Sequence, residues 1–230
     1  MFQSPLRLNL QLRCTPKTRA RDTLDIWPPF PLIISDFPEI LCDIPSRVDN
    51  IVAALEHNDR VCEIDLICLS SLQMKYVTNS AAMNRPFPEL TSLFIHGSGS
   101  ILPDSFLGGT TPRLRSINLD SISFPGLPKL LLSTAHLVRL HLRSIFGYIP
   151  PEAMAAGLSA LTSLETLCLD FQHPQPRPSL ESRPPLPPPL TPSVLPSLTD
   201  IRFKGTSEWL EAILGRIDAP RLNEDRKSVV

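Results

Sequence analysis

Cysteines and histidines are the residues here able to do chemistry alone, so their spacing decides first what this chain is suited for. Five cysteines are present: Cys14, Cys42, Cys62, Cys68 and Cys168. Thiolates at metal-ligand or C-x-x-C spacing would hold zinc or exchange disulfides. The count is odd and no pair has C-x-x-C spacing. The thiols are therefore expected to be reduced and packed as small apolar groups in an intracellular protein, cytoplasmic or nuclear. His136 and His141 lie five apart, which on a strand puts them on opposite faces with no shared ligand site. "HGSGS", His96 to Ser100, lacks the G-x-S-x-G of a nucleophile elbow and reads as the turn leaving a strand. No G-K-[ST] follows a glycine run, so no phosphate loop is expected. A hydrolase would have to rest on His96 or His141, with Ser98 or Cys168 as nucleophile, at no recognisable spacing. No catalytic set, metal, cofactor or enzyme activity is expected.

Binding chemistry remains, and it depends on the elements that carry it. "PRLRSINLD", Pro112 to Asp120, has aliphatic residues at Leu114, Ile117 and Leu119, in steps of three and then two. A helix repeats at three and four, and a half-buried strand at two. The same spacing recurs at Val61-Ile64-Leu66, Leu90-Leu93-Ile95, Leu137-Leu140-Leu142, Leu164-Leu167-Leu169 and Leu198-Ile201-Phe203. Successive triplets start 29, 24, 23, 27 and 34 residues apart. A period in the twenties with L-x-x-L-x-L spacing is the signature of leucine-rich repeats. The first apolar residue sits in the bend entering a short strand, and the next two lie on its inward face. One unit cannot bury its leucines alone, whereas stacked units cover one another.

The fold predicted is α/β, one leucine-rich-repeat solenoid: a curved parallel sheet with helices or irregular turns on its convex side. Degenerate units are expected over 1–60 and regular units over 61–172 and 197–218. "SRVDNIVAALEH" predicts a helix capped by Ser46, with Val48, Ile51, Val52 and Leu55 on one face. "LQMKYVTNSAAM", "LPKLLLSTA" and "PPEAMAAGLSAL" read as helices. In "SEWLEAILGRI", Trp209, Leu210, Ile213, Leu214 and Ile217 are expected to point inward. "LRLNLQL", Leu6 to Leu12, alternates as a strand does, and "PLII" reads as another.

Two irregularities stand out. His173 to Pro196 holds ten prolines in 24 residues, which predicts an extended loop of polyproline type inserted over 173–196. Within it Pro184-Pro185-Leu186-Pro187 matches a WW-domain ligand pattern. At the other end "APRLN" begins a further unit, but Asp225 and Lys227 stand where apolar residues would follow. Residues 1–222 are thus taken as the repeat domain and 223–230 as a disordered tail.

With the strands placed, the side chains between the leucines point outward, onto the concave face. They are Glu63 and Asp65; Ser92, Phe94 and His96; Ser116, Asn118 and Asp120; Arg139, His141 and Arg143; Thr166, Cys168 and Asp170; and Asp200, Arg202 and Lys204. Acids gather at one end and a basic step stands at Arg139, His141 and Arg143. Phe94 is expected to be an exposed aromatic anchor. The alternative is that these charges simply satisfy one another, Asp120 with Arg139 or Arg143.

Composition narrows the partner. Of 230 residues 20% are charged, 42% are apolar, and the formal net charge is -1. No global field favours nucleic acid, and basic residues bracketed by acids repel phosphate as much as they attract it. No apolar run approaches the ~20 residues that span a bilayer, so no membrane is expected. The basic stretch 7–21 has the composition of a transit peptide, but Pro5 and Pro16 interrupt the helix one would need.

"SPLRLNLQLRCTPKTRARDTLDIWPPFPLIIS" and "NIVAALEHNDRVCEIDL", together with the recurring P-x-L-x-x-L-x-L, resemble fungal F-box proteins with C-terminal leucine-rich repeats. The likeness covers residues 4–222. It implies a repeat domain that holds the substrate of a cullin–RING ubiquitin ligase, behind an F-box that docks on the ligase adaptor. Only three residues precede the likeness, so adaptor docking is not expected of this chain. Ser98, Ile122, Ile145 and Gln172 stand where longer leucine-rich patterns carry asparagine, so no asparagine ladder is expected. The function predicted is a non-enzymatic protein-interaction module, the substrate-recognition part of an F-box type receptor. The alternative is a truncated gene product without independent activity.

Overall fold

The structure is a computed structural model and describes residues 8–36, 45–172, 192–222 and 227–229. Each aliphatic triplet enters or lies on a strand. The strands are β1 (Leu10–Cys14), β2 (Leu32–Asp36), β3 (Val61–Leu66), β4 (Ser92–Ile101), β5 (Ser116–Ser123), β6 (Arg139–Ile145), β7 (Thr166–Phe171), β8 (Ser193–Val194), β9 (Asp200–Lys204), β10 (Ile217–Asp218) and β11 (Lys227–Val229). Nine of them form one sheet in the order β1-β2-β3-β4-β5-β6-β7-β9-β11, and β8 and β10 pair separately. Every pairing is parallel. Parallel neighbours need a crossover connection between them. Among the described residues six helices supply most of these: α1 (Ala20–Ile26), α2 (Pro45–Leu55), α3 (Ser71–Thr78), α4 (Leu127–Leu132), α5 (Pro151–Leu158) and α6 (Ser207–Leu214). The molecule is thus α/β, with a parallel sheet whose spatial order follows the chain.

The three-then-two spacing has a backbone cause. Leu90, Leu114, Leu137, Leu164 and Leu198 each close a turn, donating the N–H to the carbonyl three residues upstream at 2.9–3.3 Å. The next residue then begins the ladder. Thr91, Arg115, Val138, Glu165 and Thr199 donate to the carbonyls of Cys62, Thr91, Arg115, Val138 and Glu165 of the preceding unit at 2.8–2.9 Å. The second members of the triplets face one another across the sheet from Ile64 through Leu93, Ile117, Leu140 and Leu167 to Ile201. The third members do so from Leu66 through Ile95, Leu119, Leu142 and Leu169 to Phe203. All eighteen triplet residues are buried. Burying each leucine contributes about 1.5–3 kcal/mol.

The "HGSGS" segment departs from expectation. β4 does not end there but continues to Ile101, with a register shift between His96 and Ser100. Ser121 and Ser144 stand at the position equivalent to Gly97 and adopt φ of 56° and 49°. A second register shift falls between Leu142 and Ile145. The strands bulge at this level, which returns Ile122 and Ile145 to the core. Gly97 is required by space, because a Cβ there would stand 2.8 Å from the Ile122 side chain.

Consecutive helices pack on one another, α1 on α2, α2 on α3, α4 on α5 and α5 on α6. α2 buries Val48, Ile51 and Leu55, with Val52 partly covered. Ser46 is not its cap: the helix already begins at Pro45, whose fixed φ suits a first turn, and the Ser46 hydroxyl donates to the Pro16 carbonyl at 3.3 Å. α3 opens instead on a capping box, in which Ser70 accepts from the Gln73 N–H and Gln73 accepts from the Ser70 N–H. In α6, Trp209 and Ile213 are buried, but Leu214 is 40% exposed rather than inward. Trp209 stacks on Phe203, meets Phe171 edge-on at 4.8 Å, and donates its indole N–H to the Ile149 carbonyl at 2.9 Å. Within the tail expected at 223–230, Lys227–Val229 form a strand beside β9. The proline-rich segment through residue 191, including Pro184 to Pro187, lies outside the described residues. Among the described residues no helix is long and apolar enough to cross a membrane.

Candidate interaction face

Because the leucines face inward in register, the residues between them line up outward in rows. One row runs from Glu63 through Ser92, Ser116, Arg139 and Thr166 to Asp200. The next runs from Asp65 through Phe94, Asn118, His141 and Cys168 to Arg202. A third sets His96 beside Asp120 and Asp120 beside Arg143, with Asp170 beside Lys204. The parallel register therefore brings all eleven residues singled out for partner binding (Asp65, Phe94, His96, Asn118, Asp120, Arg139, His141, Arg143, Asp170, Arg202 and Lys204) onto one continuous strip.

Asp65 is half-buried, and its Oδ1 has no hydrogen-bond partner. Burial first, then the nearby Asp36 and Glu63 carboxylates, hold its pKa above the ordinary value. Phe94, in register between Asp65 and Asn118, is half-buried rather than exposed, because its strand neighbours cover its flanks. The Asn118 Oδ1 also lacks a partner. Asp120 does not pair with Arg139 or Arg143. Its carboxylate lies 3.6 Å from His96 Nδ1 and accepts the Ser121 hydroxyl at 3.0 Å. Lys204 reaches Asp170 at 3.4 Å, and Arg202 reaches Asp200 at 3.3 Å on its own strand.

Arg139 and Arg143 are exposed, with His141 half-buried between them. Burial lowers the His141 pKa, and the Arg143, Arg139 and Arg202 guanidiniums lower it further. Cys168 faces His141 in register, the one place on the strip where a thiol neighbours an imidazole. Burial raises that thiol, with the nearby Arg143 and Arg202 guanidiniums opposing it. Both groups are therefore neutral near pH 7, the opposite of the thiolate–imidazolium pair that nucleophilic chemistry needs. His136 stands apart from His141. It lines a groove of about 550 Å³ at the entry ends of the strands, with Glu63, Arg113 and Arg115, where Glu89 and Arg113 form an ion pair.

The sequence reading missed a buried polar knot at the N-terminal end. Asp36 is 5% exposed, and its two oxygens accept the Ile67 and Cys68 N–H groups at 2.7 and 2.8 Å. Arg47, 2% exposed, donates to the Cys68 carbonyl and to Gln73 Oε1. Burial, with Asp36 adding to it and Arg47 opposing, pushes the Cys14 thiol up to about 12. The signal was an acid directly after the aliphatic run "LIIS", where a strand exit leaves backbone N–H groups to satisfy.

In comparisons with known proteins, no family model, curated protein or solved structure matches this chain.

Proposed function

We propose that the chain is a leucine-rich-repeat solenoid acting as a non-enzymatic protein-interaction module, with the outward strip of β3 to β9 as its binding face. The observation that carries this reading is the register. Two buried ladders keep the rows between them contiguous and in register over six strands, with chemically varied side chains along each row. Neighbouring strands lie about 4.8 Å apart, so six strands present a strip roughly 24 Å long. That length suits an extended segment or a surface loop of another protein. The neutral Cys168–His141 pair and the separation of His136 from His141 favour binding over catalysis. In the fungal F-box family that the sequence resembles, such a face holds the substrate of a ubiquitin ligase, and substrate recognition is the role we assign here.

Photo-crosslinking tests this directly. A benzophenone amino acid replacing Phe94 places the reactive group on the strip. The same group at Leu132, 58% exposed on α4, serves as the control. The expected result is discrete adducts from Phe94 that the Arg139→Ala/His141→Ala/Arg143→Ala variant loses. Equal labelling from both positions, unaffected by that variant, would remove the strip from consideration.

A further inference from the structure

The strip is electrically polar along its length, and this narrows what it takes. On β3 to β5 the outward carboxylates are Glu63, Asp65 and Asp120, with His96 as the only basic side chain facing the same way on those strands. On β6 to β9 the balance reverses: Arg139, Arg143, Arg202 and Lys204 stand against Asp170 and Asp200. The acids near the basic end are already engaged, Asp120 by His96 and Ser121, Asp170 by Lys204, Asp200 by Arg202. Among the described residues no carboxylate pairs with Arg139 or Arg143, and both are exposed. Their guanidinium forks suit bidentate contact with carboxylates. At the other end the half-buried Glu63 and Asp65 carboxylates face outward on one strand, and Asp65 stands in register with Phe94. A carboxylate next to an aromatic face is a site for a basic side chain, which gains both ion pairing and cation–π attraction.

We propose that the strip binds an extended peptide segment of another protein, running across the strands, whose cluster of Asp and Glu lies over Arg139, Arg143 and Arg202 and whose basic flank lies over Asp65 and Phe94. This rests on the protein-binding reading above and adds the chemistry of the partner. The spacing follows from the sheet. Asp65 and Arg202 are five strand steps apart, about 24 Å, and an extended peptide rises about 3.4 Å per residue. Basic and acidic ends are thus separated by about seven residues. The His141 imidazole, held neutral by burial and by Arg143, Arg139 and Arg202, offers one N–H to the same carboxylates. Asn118 and Cys168 face it from the neighbouring strands, and Asp200 and Arg202 stand one strand further on. Of these only Asp200 opposes an incoming anion, and Arg202 occupies it. A nucleic acid strand would bring phosphate onto Glu63 and Asp65 and is disfavoured by the same map.

Fluorescence anisotropy with the full chain tests the proposal. The probes are fluorescein-labelled decapeptides of one composition: lysines at one end and glutamates at the other, in both backbone directions, and an isomer with the charges alternating. A neutral peptide and a single-stranded oligonucleotide complete the set. The block-charged peptide in one direction is expected to bind at least tenfold tighter than the alternating isomer, and more weakly as salt rises. Arg139→Glu/Arg143→Glu/Arg202→Glu, whose melt checks its fold, is expected to lose that preference. Asp65→Lys is expected to weaken binding several-fold independently. Isomers that bind alike, an oligonucleotide that binds as well, or a triple variant that binds like the unmodified chain would overturn the proposal. Absence of binding by every probe would also overturn it, yet leave the protein-binding reading standing, because crosslinking from Phe94 reads partners of any charge.

Discussion

Asp65 has given up solvation without gaining a hydrogen bond at Oδ1. Its pKa is raised by burial and by Asp36 and Glu63, so the folded state disfavours the charged form. The sign of the linkage follows. Above the raised folded pKa the carboxylate is charged in both states, and the fold bears the full cost. As pH falls through that pKa toward the ordinary value of 3.8 the cost disappears, because folding takes up the proton. Asp65→Asn should therefore be more stable than the unmodified chain at pH 7, with the difference closing in acid. Paired urea titrations from pH 7 to pH 3.5 measure it, and a difference independent of pH would remove this explanation. That a stability cost sits on the proposed binding strip fits a group kept for a partner.

The bulges where the strands end carry a second local cost. Ser144 adopts φ of 49° and Ser121 φ of 56°, in the region that favours glycine. Ser144→Gly is expected to stabilise by about 1 kcal/mol, the relief of strain less the added entropy of the unfolded chain. Ser121→Gly gains less, because it forfeits the hydroxyl contact to Asp120. Thermal melts of both variants check the order. These bulges also mark where the sequence stopped being legible. The triplets placed β3 to β7 and β9 because a three-then-two aliphatic period has one backbone solution, a turn followed by a strand. "HGSGS" reads from the sequence as the turn leaving a strand, whereas Gly97 is needed for closeness to Ile122 within a bulged one. Ser46 reads from the sequence as a cap, but Pro45 has already started the helix. Leu214 fits an inward helical period, yet α6 is short and turns only Trp209 and Ile213 fully to the core. The outward strip was legible as positions. Its pairings were not, since Asp120 choosing His96 over Arg143 depends on side-chain reach that no spacing encodes.

At the scale of the molecule, no single unit is self-sufficient. Each rung of Ile64, Leu93, Ile117, Leu140, Leu167 and Ile201 is covered by its neighbours, so damage in the middle should be felt throughout. Ile117→Ala, at a fully buried central rung, is expected to cost about 2–5 kcal/mol in urea unfolding. Leu132→Ala, on an exposed helix position, should stay within about 0.5 kcal/mol. At the far end Trp209, Phe203 and Phe171 close the core with ring contacts where the aliphatic ladder stops.

Register is the quantity on which the buried ladders, the outward rows and the charge map all depend, and cross-strand cysteine pairs read it directly. Ser116 and Arg139 are outward partners on β5 and β6. Parallel neighbours at such a position lie within the Cα separation a disulfide accepts. The Ser116→Cys/Arg139→Cys chain should oxidise to an intramolecular disulfide while keeping its fold, as read by peptide mass mapping. Ser116→Cys/Leu140→Cys, one residue out of register and on opposite faces, should not. Equal crosslinking of both pairs, or of neither, would contradict the ladder and the binding strip built on it.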